Sequence, residues 1–120
     1  MKSASSNLGA LPRIRVLRGK DIAFGPGKAE LLGHIDTTRS LNQAAKLMGM
    51  SYMKAWLLVQ IMNRSFKKPL VRSERGGANG GGAELTPAGK RALALYHEMH
   101  RASVEAMKKP WKEMRLLLKS

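Results

Sequence analysis

The chain has no cysteine, few aromatic side chains and few carboxylates. Without cysteine it forms no disulfide, no thiolate zinc site and no cysteine nucleophile, which fits a reducing compartment. No apolar run approaches the roughly 20 residues that cross a bilayer. Residues 1–10 also lack the continuous apolar stretch of a signal peptide. These absences predict a soluble cytoplasmic protein without a membrane-spanning segment.

Positive charge is what the chain has in excess. Its 120 residues include 22 lysines and arginines against 8 acidic residues, which gives a formal net charge of +14. Such a charge favours a polyanionic partner, although a merely soluble basic protein has the same composition. The length suits one domain with a modest core.

Catalytic and metal-binding patterns do not stand out. The carboxylates are scattered, and there is no Ser-His-Asp set, carboxylate pair or HExxH motif. His97 and His100 have the i, i+3 spacing that chelates a metal on a helix. Because no third ligand is nearby, a helix surface and packing face is the better interpretation. We predict no enzyme activity, no cofactor and no metal site.

The most informative segment is 40–66, SLNQAAKLMGMSYMKAWLLVQIMNRSF, which predicts helices at 41–48 and 52–65 joined by a tight turn. Ser40 is a good N-cap with Gln43 completing a capping box, and Gly49 supplies the left-handed residue that ends the first helix. Ser51 caps the second helix, in which apolar residues repeat at helical spacing and face inward. These inward residues are Ala55, Leu58, Val59, Met62 and Phe66. The pattern is that of a helix-turn-helix, whose second helix enters the DNA major groove by its N-terminal residues.

The segment before this motif predicts a hairpin and a helix. Arginines alternate with apolar residues from position 12, and a turn at 19–21 precedes a return strand that ends at Phe24. Pro26 then opens a first helix, which runs through Asp36 with an apolar stripe.

The segment after the motif predicts two short strands, at 70–75 and 83–85, joined by the glycine-rich loop 76–82. Thr86 then caps a long helix. The Lys-Lys-Pro run at 108–110 is expected to interrupt this helix before a last amphipathic piece at 111–118. One face of the helix, mostly apolar, consists of Leu93, Tyr96, His100, Val104 and Met107.

The order of elements predicts a fold that is mainly α with small β, a winged helix-turn-helix with an N-terminal β-hairpin and a long C-terminal dimerisation helix. The predicted division of the chain is a disordered tail at 1–10, a DNA-binding domain at 11–86, and a dimerisation helix and tail at 87–120.

The first turn of the second motif helix carries candidate contacts to base edges and nearby phosphates, namely Ser51, Tyr52, Met53 and Lys54. Lysine donates to guanine or phosphate, serine and tyrosine bond to phosphate, and methionine contacts the thymine methyl. The alternative is that these are ordinary solvated residues at a helix start. Trp56 is interpreted as core packing, with the DNA backbone as the alternative.

A basic cluster between this helix and the loop provides candidate phosphate contacts, with only Glu74 to offset it locally. The cluster consists of Arg64, Lys67, Lys68, Arg72 and Arg75. In the loop, Gly77, Asn79 and Gly80 are candidates for close approach to DNA, and the alternative is a flexible tip without contacts. A second basic group, Arg13, Arg15, Arg18 and Lys20, is not assigned to DNA.

Several short motifs at characteristic distances carry a family resemblance. These are Gly49-Met50-Ser51-Tyr52 with Ala55-Trp56, Met62-Asn63, Leu70-Val71, and the glycine-rich loop followed by Leu85-Thr86. Together they resemble the N-terminal DNA-binding domain of the molybdate-responsive transcription regulators, the ModE family, which is related to the winged domain of LysR-type regulators. The resemblance spans roughly residues 12–104.

The resemblance implies a dimer formed through the first and last helices and bound to palindromic promoter DNA. It also implies that the chain ends about where the family's C-terminal oxyanion-binding module begins, so the expectation is a chain without that module, either a stand-alone DNA-binding form or a truncated one, with an unknown effector. Two other functions remain open. One is a basic protein-interaction module that uses the helix-turn-helix as a scaffold, and the other is a nonspecific nucleic-acid binder.

Overall fold

The computed structural model describes residues 7–73 and 82–119, which form four helices and two pairs of short antiparallel strands. In chain order the elements are β1 (Val16–Arg18), β2 (Asp21–Phe24), α1 (Pro26–Thr38), α2 (Leu41–Leu47), α3 (Tyr52–Ser65), β3 (Val71–Ser73), β4 (Ala83–Leu85) and α4 (Pro87–Met114), followed by a 3-10 turn over Arg115–Leu117. The prediction of a mainly helical fold with little β structure is confirmed. Within the described residues, no helix is both long enough and apolar enough to cross a bilayer.

The core lies where α1, α2 and α3 meet the two strand pairs. The stripe predicted for α1 is confirmed, since Leu31, Leu32 and Ile35 are fully buried. Ala44 and Ala45 are buried on α2, where small side chains allow α1 and α3 to approach closely. Burial of these apolar side chains is the main force that holds the short helices together.

Local hydrogen bonds fix the ends of α2 and α3. The Ser40 hydroxyl accepts from the Gln43 backbone N–H at 3.1 Å, and Gly49 is left-handed with φ 66°. The Ser51 hydroxyl accepts from the backbone N–H of residue 54, also at 3.1 Å. The predicted capping box is only half correct, because the Ser40 N–H donates to the Thr38 hydroxyl at 3.2 Å. Thr38, at the end of α1, takes the role that the sequence assigned to the Gln43 side chain.

Each strand pair is a separate two-stranded sheet. The predicted first hairpin is confirmed, with its turn at Gly19 in the left-handed region at φ 63°. In the second pair, Val71 lies opposite Leu85, and both are buried. The start of β4 also reaches the α1–α2 junction, because the Ala83 N–H donates to the Arg39 carbonyl at 3.2 Å.

Helix α4 begins as predicted but does not break where predicted. The Thr86 hydroxyl accepts from the Gly89 N–H at 3.0 Å and caps it. The expected interruption at 108–110 is wrong, since α4 continues through Pro110 to Met114. Proline removes one hydrogen bond to the residue four positions earlier, Ala106, which is exposed here and open to water. In the described part of the chain, Tyr96 is the last buried residue, so the later part of α4 stands clear of the core.

Candidate nucleic-acid interface

The first turn of α3 stands free of the rest of the fold. Tyr52 and Met53 are 41% and 60% exposed, and Ser51 and Lys54 are also exposed. Ala55 is the first buried residue of the helix. All four predicted DNA-contacting side chains of this turn therefore lie on an accessible surface, where they can reach a partner without a change of fold.

The outward face of α3 carries large apolar side chains. Trp56 is 39% exposed, so its assignment to the core is wrong, and Leu57 is 50% exposed. With 3.6 residues per turn, the residue after Ala55 is rotated about 100° away from the core side. Taking the helical wheel from Ala55, Val59 and Met62 would have put Trp56 at the edge of the exposed face.

Asn63 joins α3 to the β3–β4 pair and was given no role by sequence reasoning. Its Oδ1 accepts from the backbone N–H groups of Leu70 at 2.8 Å and Val71 at 3.1 Å. Its Nδ2 donates to the Val71 carbonyl at 3.0 Å. The side chain thus satisfies the backbone as a neighbouring strand would. The signal in the sequence was a single amide side chain, Asn63, on the core-facing side of a mostly apolar helix. It lies seven residues before the start of the predicted strand at 70–75.

The predicted phosphate contacts divide into exposed and paired cations. Arg64, Lys67 and Lys68 are exposed at and beyond the end of α3. Arg72 is held by Glu84, whose Oε1 accepts from its Nη2 at 2.6 Å and from its Nε at 3.1 Å. The expectation that only Glu74 offsets this cluster is therefore wrong, because Glu84 lies directly opposite Arg72 in the strand register.

Glu84 also forms an ion pair with a second arginine, Arg39. Its Oε2 lies 3.5 Å from Arg39 Nη1. The hydrogen bond and the charge of Arg72 lower the pKa of Glu84, with a smaller Coulombic contribution from Arg39. The carboxylate is therefore ionised at neutral pH and neutralises part of the positive charge of this strand pair.

The remaining predicted contacts, Arg75, Gly77, Asn79 and Gly80, lie outside the described residues, as does Glu74. They stay predictions. The unassigned basic group of the first hairpin is brought close to α3, where the Arg18 guanidinium donates to the Arg64 carbonyl at 3.5 Å.

The histidines lie on a different side of the molecule. His34, His97 and His100 line an open groove of about 600 Å³ between α1 and α4. His34 Nε2 is 3.7 Å from a Glu30 carboxylate oxygen. In residues 7–73 and 82–119, no three histidine or carboxylate side chains group as metal ligands would.

Several known proteins share sequence with this chain, although no family model matches it. It is 39% identical over 95 residues to the molybdenum-pterin-binding protein MopB of Rhodobacter capsulatus, covering 79% of this chain and 35% of that protein. It is 40% identical over 81 residues to the transcriptional regulator ModE of Haemophilus influenzae, covering 68% and 32%. With the dual regulator ModE of Escherichia coli, identity is 42% over 71 residues, covering 59% and 27%.

These findings define the class of the domain and its relatives. The fold is compatible with a small domain of the helix-turn-helix type, mainly helical with short antiparallel strands. Over the matched residues the chain is homologous to ModE transcriptional regulators and to MopB, none of which is named as an enzyme. The matched segment covers between 27% and 35% of the length of these relatives.

Proposed function

We propose that the chain is a sequence-specific DNA-binding transcription regulator of the ModE type, acting in the bacterial cytoplasm. The observation that carries the proposal is the exposed, capped first turn of α3, which begins the second helix of a short two-helix unit and is bordered by exposed cations. Homology to proteins named as ModE regulators supports it independently.

The first turn of α3 supplies groups suited to both phosphates and bases. The Ser51 hydroxyl accepts from a backbone N–H, which leaves its own hydrogen available for a phosphate oxygen. Lys54 donates to guanine or to phosphate, and Met53 contacts a thymine methyl. Further along the helix, the Gln60 amide has the donor and acceptor that pair with adenine.

The β3–β4 pair is the wing of the proposed domain. It is joined to α3 through Asn63 and carries Arg72, with Lys67 and Lys68 in the preceding connection. In this proposal the segment that joins β3 to β4 approaches the DNA backbone or an adjacent groove.

The proposed active form is a homodimer on palindromic promoter sites. Helix α4 has 28 residues, about 42 Å at 1.5 Å per residue, and its later part is not covered by the core. Val104, Met107 and Trp111 follow one another at spacings of three and four along it and are half-buried. A second copy packed on α1 and α4 would cover them and set two α3 helices about one DNA turn, or 34 Å, apart.

The test of base reading is selection of bound duplexes from random DNA, followed by affinity measurements on Lys54→Ala. We expect a palindromic consensus, and a larger loss of affinity for the selected site than for random duplex. Lys112→Ala, an exposed lysine near the end of α4, is the control and should leave the ratio of the two affinities unchanged. Equal losses on both duplexes would make Lys54 a phosphate contact, and absence of duplex binding at low salt would refute the proposal.

A second candidate function is a basic protein-interaction module. The exposure of Trp56 and Leu57 favours it, because large apolar side chains are enriched in protein interfaces. A chain that binds no duplex at low salt, but forms a stable complex with a protein through this face, would select this function. Trp56→Ala would then abolish the complex.

A further inference from the structure

The first hairpin and the β3–β4 pair lie on opposite sides of α3. With 3.6 residues per turn, Lys54 and Ser65 share one side of the helix, whereas Asn63 is on the opposite side. Lys54 lines a cleft with the β2 residue Ile22, and Ser65 lines a smaller cavity with the same strand. Asn63 bonds to β3. The outward face of α3 is therefore bordered by strands on both sides.

The hairpin side of α3 is lined with cations from three elements. An open cleft of about 300 Å³ brings Arg15 and Lys28 beside Lys54. A cavity of about 170 Å³ brings Arg18 beside Arg64. Lys28 is held in position by its donation to the Ile22 carbonyl at 3.1 Å. Because Ile22 and Lys28 line both cavities, the hairpin cations and the basic residues of α3 border one continuous surface.

Within the part of the chain that the structure describes, carboxylates do not neutralise this surface. Among residues 7–73 and 82–119, every ion pair within 4.0 Å involves Glu30, Glu84 or Glu105. Asp21 lines the cavity that holds Arg18 and Arg64 but forms an ion pair with neither. The cations of the hairpin are therefore available to an external anion.

We propose that the β1–β2 hairpin is a second phosphate-binding flank, which holds the DNA backbone on the side of α3 opposite the β3–β4 pair. The proposal rests on DNA binding by α3 and adds Arg15, Arg18 and Lys20 to the contact surface. All three side chains are exposed. Arginine and lysine contacts to phosphates fix the position of a protein on the duplex without reading its sequence. The hairpin therefore supplies affinity and register, while α3 supplies base recognition.

The test is a triple variant, Arg15→Gln, Arg18→Gln and Lys20→Gln, assayed on the selected site and on random duplex over a range of salt concentrations. We expect both affinities to fall by the same factor, at least about tenfold, so that specificity is unchanged. The slope of log affinity against log salt should become shallower by about one unit for each phosphate that the variant no longer binds. Backbone footprinting should show weaker protection at one flank of each half-site.

The matched control removes the same charge far from α3, by Arg101→Gln, Lys109→Gln and Lys112→Gln on α4, and its salt slope should stay close to that of the native chain. Circular dichroism and sedimentation establish that both variants keep their fold and assembly. A hairpin variant that matches this control in affinity and slope overturns the inference, while the loss of specificity in Lys54→Ala would still support α3 as the reader. A native chain that binds no duplex overturns both.

Discussion

The two strand pairs beside α3 are similar in size but differ in what surrounds their cations. Arg72 of the second pair and the nearby Arg39 share the carboxylate of Glu84. Arg15 and Arg18 of the first hairpin have no carboxylate within ion-pair distance in the described part of the chain. Counting charged residues along the sequence therefore overstates the free charge of the second pair and cannot show which of the two pairs keeps its cations unpaired.

The two pairs also differ in how they are attached. The second pair is fixed by side-chain hydrogen bonds to backbone groups: Asn63 accepts from the amides at the start of β3, and the Thr86 hydroxyl donates to the Pro69 carbonyl at 2.6 Å. The first hairpin is fixed mainly by aromatic packing, since the Phe24 ring packs edge-on against the rings of Phe66 and Tyr96. Substitutions that remove a polar group or add a methyl should therefore affect the second pair more strongly.

Gly89→Ala is expected to have the largest effect, because it separates α4 from the second strand pair. A Cβ at position 89 would overlap the Leu70 carbonyl, and the backbone must move to relieve this overlap. We expect a loss of about 3 kcal/mol or more in the free energy of unfolding, measured by urea denaturation. The control is Gly33→Ala in α1, where a Cβ meets open space and a small gain in stability is expected. Equal free energies of unfolding for the two variants would contradict the close approach of Gly89 to the Leu70 carbonyl.

Asn63→Ala should have the next largest effect. It leaves the amides of Leu70 and Val71 without their acceptor, and we expect a loss of about 2 kcal/mol in urea denaturation. Amide hydrogen exchange should accelerate at these two positions before it does so in α1. Gln60→Ala, in the same helix, should change stability by less than about 0.5 kcal/mol. Unaltered protection of both amides would show that Asn63 does not hold β3.

Tyr96→Phe tests the attachment of the first hairpin and should have a smaller effect. The variant keeps the ring packed on Phe24 and removes only the hydrogen bond from the hydroxyl to the Ile14 carbonyl, 2.9 Å long. A loss of about 1 kcal/mol is expected in thermal or urea unfolding. Tyr52→Phe removes an exposed hydroxyl and should leave stability unchanged. A loss of stability as large as that of Asn63→Ala would show that hydrogen bonds matter as much for attaching the first hairpin as for attaching the second pair.

Glu84→Gln should change stability least, and it tests whether the carboxylate of Glu84 keeps the cations of the second pair from DNA. It releases Arg72 and Arg39, and we expect tighter duplex binding with a salt slope steeper by about one unit for each further phosphate bound. Because the lowered pKa of Glu84 keeps the native carboxylate ionised at neutral pH, the effect should be present there. Glu105→Gln removes an exposed carboxylate paired with Lys108 on α4 and is the control. An unchanged slope would mean that Arg72 does not reach DNA.

The sequence predicted local structure well because local structure depends on neighbours a few positions apart. Ser40, Ser51 and Thr86 cap helices as expected, and Gly49 ends α2 in the left-handed region. The inward residues of α3 were correct for the same reason, since helical periodicity relates positions three and four apart. Pro110 was misread because a break was inferred from proline alone, whereas the exposed end of α4 tolerates the missing hydrogen bond.

By itself the sequence determined the order of elements, the first residue of each helix and the exposed start of α3, since caps, turns and amphipathic periodicity are all encoded within about one or two helical turns. Only the tertiary structure decided that Glu84 neutralises Arg72 and that the first hairpin lies against α3. These features join residues far apart in the chain. Such contacts depend on how the elements pack, which no short stretch of sequence specifies.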